Sequence, residues 1–134
     1  MTRPAGRHYP LNLSILSASL AICRLSPDGE IPRWVWADRA FLSITHTPDE
    51  LSIVCPADRV PLDVQCEKGW AAFKVKGPLD FSLAGVLTAL AGPLAESGIP
   101  IFVISTFDTD YLLVREEDLP RATEVLRKNG HSVE

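Results

Sequence analysis

Residues 102–120 read FVISTFDTDYLLVREEDLP, and residues 42–60 read LSITHTPDELSIVCPADRV. Each is an apolar run, a polar turn and a second apolar run. Aligned without a gap, they match Ile44 with Ile104, Thr45 with Ser105, Leu51 with Tyr111, Ile53 with Leu113, Val54 with Val114 and Asp58 with Asp118, an offset of 60 positions throughout. Self-similarity at a fixed period marks a duplicated unit. Strands at Phe41–Thr45 and Leu51–Val54 make one hairpin across HTPDE, where Pro48 and Asp49 are turn formers. IPIFVIS and YLLV make the other across TFDTD, a turn in which Asp108 and Asp110 flank Thr109 and close an Asx-type turn. The unbroken, β-branched IPIFVIS predicts a central strand buried on both faces.

Outward from the hairpins, a second echo appears. WAAFKVKG repeats LAICRL, with Trp70 matching Leu20, Phe73 matching Cys23 and Val75 matching Leu25 at an offset of 50, so the connector between first and second strands is longer in the second half. There it reads GPLDFSLAGVLTALAGPLAESG, a helix over 82–97 that Asp80 or Ser82 caps and Gly98 ends, with Leu83, Val86, Leu87, Leu90 and Leu94 on its inner face. Pro93 lacks an amide hydrogen and is expected to bend or restart it. The remaining face carries Ala84, Gly85, Thr88, Ala89 and Gly92, and a helix without a charged face is covered on two sides. In the first half the corresponding segment, PDGEIPRWVWADRA, leaves room for a short turn only, with Trp34 and Trp36 sealing a small core.

A last helix runs from EEDLP to Gly130, acidic at its start and basic at its end as the helix dipole favours, with Leu119, Ala122, Val125 and Leu126 inward and His131 in a solvated tail. The second half is then β-α-β-β-α, one short strand from the ferredoxin-like βαββαβ plan. The expected fold class is α+β: two ferredoxin-like units at residues 11–66 and 67–134, antiparallel sheets with helices on one face. Units of about 60 residues bury too little surface to be stable alone, so the halves are expected to form one body.

Composition narrows the function. With net charge −4 and pI ≈ 5.3 the chain lacks the basic surplus of a nucleic-acid binder. Cys23, Cys55 and Cys66 are odd in number and without CxxC spacing, which reads as reduced thiols on or near strands rather than a metal site. The start, MTRPAGRHYP, has no apolar run behind it and no stretch reaches membrane-spanning length, so a soluble cytoplasmic protein is expected. His8, His46 and His131 are scattered, and no nucleophilic triad or phosphate-binding loop is signalled, so neither an enzyme nor a cofactor is expected.

GPLDFSLAGVL and ISTFDTDYLLV resemble the ACT domain, in the subgroup of small bacterial tandem ACT proteins related to the CASTOR-type cytosolic arginine sensors. The likeness covers much of residues 77–114 and weakens towards the N-terminus. It implies a regulatory module that binds a small molecule, most often an amino acid, at the seam between ACT units. Carried onto this chain, it implies ligand contacts from Gly77, Pro78, Leu79, Asp80, Phe81 and Ser82, from Ile104, Ser105 and Thr106, and from their counterparts Ile44, Thr45 and His46.

The chemistry of the turn fits such a ligand independently. A carboxylate seeks the unpaired amides of a helix's first turn, and Gly77 lets the backbone approach. Asp80, Asp108 or a strand carbonyl is an acceptor for the ammonium. A competing reading makes the chain an interaction module without a metabolite, the uncharged 82–97 helix being the surface for a second copy or another protein.

Overall fold

The computed structural model describes residues 10–37, 40–77 and 85–134. Its contacts divide the chain into an inserted unit, Ser17–Ala71, and a flanking unit made of the chain up to Leu16 together with Ala72–Glu134. The fold is α+β and ferredoxin-like.

In the inserted unit the strand order is β3–β4–β2–β5, where β2 is Leu20–Leu25, β3 Ser43–His46, β4 Leu51–Pro56 and β5 Cys66–Val75. All three pairings are antiparallel. A 3-10 turn at Arg33–Trp36 stands where a ferredoxin-like unit has its first helix. Three residues per turn aim only one of the four inward. That residue is Val35, fully buried, while Trp34 packs at the margin and Trp36 is 60% exposed, so the aliphatic side chain rather than the indoles seals this core.

Strand β5 begins four residues before the expected Trp70. Glu67, Lys68 and Gly69 read as loop in sequence, but the stretch edges the inserted unit, where charged side chains face solvent. Gly69, at φ 85°, sits where the register to β2 slips by one residue, a bulge that its positive φ makes accessible.

The flanking unit has the order β6–β7–β5–β1–β8, with β1 at Asn12–Ile15, β6 at Phe102–Ser105, β7 at Asp110–Arg115 and β8 at Ser132–Val133. β8 supplies the final strand that the sequence left open. β1 lies between it and β5, antiparallel to β5 but parallel to β8. Helices α1, Val86–Glu96, and α2, Leu119–Lys128, cover one face through a core of Phe73, Val75, Leu90, Leu94, Leu112, Val114 and Leu126. The inner face of α1 is the i, i+4 row Val86, Leu90, Leu94, whereas Leu87 is 39% exposed.

Four expectations change. The offset between hairpins is 59 rather than 60: His46 pairs with Leu51 and Ser105 with Asp110, and the four-residue turns Thr47–Glu50 and Thr106–Thr109 correspond. Runs of Ile, Leu and Val match at either offset, and only the pairing decides between registers that put side chains on opposite faces. Next, β6 is not central. It lies at the sheet edge against β7, with Val103 packed on the core and Phe102 and Ile104 half-buried. Pro93 does not restart α1, which runs unbroken from Val86 to Glu96, and the Ser97 amide still donates to the Pro93 carbonyl at 3.1 Å.

Last, His131 is not a solvated tail residue but 4% exposed. Gly130, at φ 93°, reverses the chain so that the Gly130 amide donates to Arg127 and the His131 amide to Leu126, the pattern that turns the next residue back onto its helix. Gly98 and the buried Ile99 close α1 in the same way. The His131 Nδ1 accepts from the Leu11 amide at 3.1 Å, which places the proton on Nε2, 3.2 Å from the Ala89 carbonyl. Ala89 is four residues before Pro93, so the imidazole supplies the donor that the proline withholds.

Candidate functional site

The alternation of β1 and β5 builds the site. Leu13, Phe73 and Val75 face the helices, so Ser14 and Lys74, directly paired across the strands, face the other side of the sheet. The chain leaves β5 through Lys76, whose amide donates to the Asn12 carbonyl at 2.8 Å, and reaches Gly77. Beyond β8, the Glu134 amide donates to Leu13 at 3.0 Å and its carbonyl accepts from Ile15. These residues line a cavity of about 290 Å³: Asn12, Leu13, Ser14, Lys74, Lys76, Gly77 and Glu134.

Its side-chain charges are two ammoniums and one carboxylate. A zwitterionic guest presents the complementary pair, and its carboxylate gains charge-assisted hydrogen bonds from lysine. One part of the wall is already committed: Ser132 Oγ donates to Asn12 Oδ1 at 2.7 Å.

Of the residues expected from sequence, Gly77 is at this cavity. Pro78, Leu79, Asp80, Phe81 and Ser82 lie outside the described residues. Among the described residues, Ile104, Ser105, Thr106 and Asp108 do not line it. Ile104 is half-buried on β6, and Ser105, Thr106 and Asp108 are exposed. Thr106 is spent on its turn: its hydroxyl donates to the Thr109 carbonyl at 3.0 Å and accepts the Thr109 amide at 3.2 Å. A threonine hydroxyl thus closes this turn in place of the expected aspartate.

In the inserted unit, Ile44 is half-buried and Thr45 and His46 are exposed. His46 Nε2 donates to the Pro27 carbonyl at 3.0 Å. At the corrected offset the counterparts of Ile104, Ser105 and Thr106 are Thr45, His46 and Thr47. Thr47 accepts the amides of Asp49 and Glu50, both at 3.1 Å, as Thr106 does in its own turn.

Sequence reasoning missed Lys74, Lys76 and Thr109. Thr109 is buried and its hydroxyl donates to the Val75 carbonyl at 2.6 Å, which fixes the end of β5 two residues before Gly77. The period-2 pattern of WAAFKVKG already puts Lys74 and Lys76 on one face, and that was the available signal. No group of three His, Cys, Asp or Glu that would hold a metal ion occurs among the described residues, and no helix there is long and apolar enough to cross a membrane.

Residues 65–128 match the sequence profile of the ACT domain, and residues 18–63 match a second profile described as an N-terminal domain. A crystal structure of a protein from Agrobacterium tumefaciens superposes with a TM-score of 0.89 at 46% identity, over 94% of this chain and 93% of that one. The cytosolic arginine sensor for mTORC1 subunit 1 of Bos taurus is 32% identical over 66% of this chain and 30% of its own length. The human protein CASTOR3P is 28% identical over 64% of this chain and 61% of its own. The chain thus spans less than two thirds of either curated relative.

Proposed function

This chain is an ACT-domain protein related to the CASTOR-type arginine sensors, and from that premise we propose that it is a regulatory protein that binds an amino acid beside Gly77. The observation that carries the reading is the cavity at the end of β5, where Lys74, Lys76 and Glu134 set opposite charges beside Gly77. Lys74 and Lys76 take the ligand carboxylate, and Glu134 takes the ammonium. The edge strand of an ACT unit in a second copy of the chain, through its Ile104, Ser105 and Thr106 or its Ile44, Thr45 and His46, completes the seam. The ligand acts by binding one arrangement of the protein more tightly than another.

Thermal shift with single amino acids tests this. A ligand at 100 times its Kd stabilises by about 2.7 kcal/mol, well within detection. At least one amino acid is expected to raise Tm and Lys76→Ala to remove the shift. Absence of any shift at millimolar concentration overturns the reading.

A second reading, an interaction surface on α1, rests on its outward residues. Leu87 is 39% exposed, and a Cβ at Gly92 would meet nothing within 4 Å. Sedimentation separates the two: Gly92→Arg would dissociate an assembly formed through this helix and leave amino-acid binding intact.

A further inference from the structure

The three cysteines, far apart in sequence, converge in the inserted unit. Cys23 on β2 and Cys55 on β4 belong to its core, and Cys66, at the start of β5, packs against the same cluster. Cys23 and Cys66 are direct partners across the β2–β5 pairing. The Arg24 amide donates to the Gln65 carbonyl at 3.0 Å, so residues 24 and 65 form the hydrogen-bonded pair and residues 23 and 66 the adjoining pair without such bonds. In that position Cα atoms approach to about 4.5 Å and side chains are closest. A disulfide spans Cα separations of about 4.4–6.8 Å. Cys55 lies opposite Ala21, diagonal to Cys23, and diagonal neighbours stand about 7–8 Å apart, beyond that range.

We propose that Cys23 and Cys66 are a peroxide-sensitive dithiol that closes to a disulfide and staples β2 to the start of β5. Exposure sets the order of events: Cys66 is half-buried and reached from solvent, whereas Cys23 is 1% exposed. The Cys66 thiolate attacks a hydroperoxide; the sulfur–oxygen bond forms, the O–O bond breaks, and the leaving oxygen takes a proton to give water or an alcohol. The sulfur of Cys23 then attacks the Cys66 sulfenic acid, the S–O bond breaks, and the Cys23 proton leaves with the oxygen as water. Two thiols lose two electrons and the peroxide gains them. Hydrogen bonding to Cys55, with burial, raises the Cys23 pKa and keeps this thiol protonated at rest, so the half-buried Cys66 is the one that meets oxidant first.

The test is hydrogen peroxide at modest excess over the full chain, followed by intact mass and non-reducing peptide mapping. Loss of two hydrogens, a Cys23–Cys66 crosslink, recovery with dithiothreitol and a higher Tm in the oxidised form are expected. Cys55→Ser should preserve this response and Cys66→Ser abolish it, both variants first passing a folding check by circular dichroism. Stable addition of oxygen to Cys66 without loss of hydrogens, a crosslink through Cys55, or an intermolecular disulfide through Cys66 would each overturn the proposal.

Discussion

The two hairpins are near copies, while the connectors that precede them are not. β3–β4 and β6–β7 share strand lengths, a four-residue turn and a threonine hydroxyl that receives amides of its own turn. Ahead of β3 stands a single 3-10 turn, and ahead of β6 an eleven-residue helix. A hairpin is specified by short-range turn chemistry and survives duplication intact, whereas a connector need only cover a sheet face and is free to shrink. The difference also divides the chemistry. The flanking unit holds the charged cavity and the inserted unit the thiols.

Cores should break the comparison hardest. Phe73→Ala, fully buried beneath the helices, is expected to cost about 3–5 kcal/mol by chemical denaturation. Ile53→Ala, which removes fewer atoms from the smaller core, should cost less. Equal losses would mean the helices add nothing to the packing that β3–β4 already has.

The histidine brace is next. His131→Ala leaves the Leu11 amide and the Ala89 carbonyl without their partner and should cost about 1–3 kcal/mol. In a Pro93→Ala background a backbone amide is restored opposite Ala89, so the same substitution should cost less. A double-mutant cycle with no coupling would show that the imidazole does not stand in for the proline's missing donor.

Thr109→Val sharpens the turns themselves. It leaves the Val75 carbonyl without the threonine hydroxyl and should cost about 1–3 kcal/mol, whereas Glu50→Val, at the equivalent position of the other turn, should stay within about 0.5 kcal/mol. Gly92→Ala is expected instead to stabilise, by about 0.5–1 kcal/mol, because the helix interior there has open space for a methyl group.

The hairpins, both helices and the ferredoxin-like plan were legible because their signals are local: turn residues, apolar spacing and charged helix ends. The register was not, since Ile53–Val54 and Leu112–Leu113–Val114 fit at two offsets and only the turn residues, Thr47 with Thr106 and Asp49 with Asp108, favour the shorter one. The position of β6 was obscured by its composition, because an edge strand with one face on the core and the other half-buried is as apolar as a central one. His131 was hidden by its polarity. The repeated ending, Gly98–Ile99 and Gly130–His131, carried the signal that the residue after each glycine turns inward. At the candidate site, Gly77 stood out in sequence because a glycine lets the backbone approach, whereas Lys74 and Lys76 carry no turn or motif signal and come together only through the strand's alternation.

One consequence of the strand order concerns synthesis. β1 leaves the ribosome ahead of the other strands, yet the residues it pairs with, Phe73–Val75 on β5 and Ser132–Val133 on β8, come after the whole of Ser17–Ala71. Translation proceeds at roughly 5–20 residues per second. The nascent leading strand therefore waits for several seconds with its backbone amides open to chaperones, and a permuted chain that begins at β2 and carries β1 behind β8 would shorten that vulnerable interval without altering a single pairing.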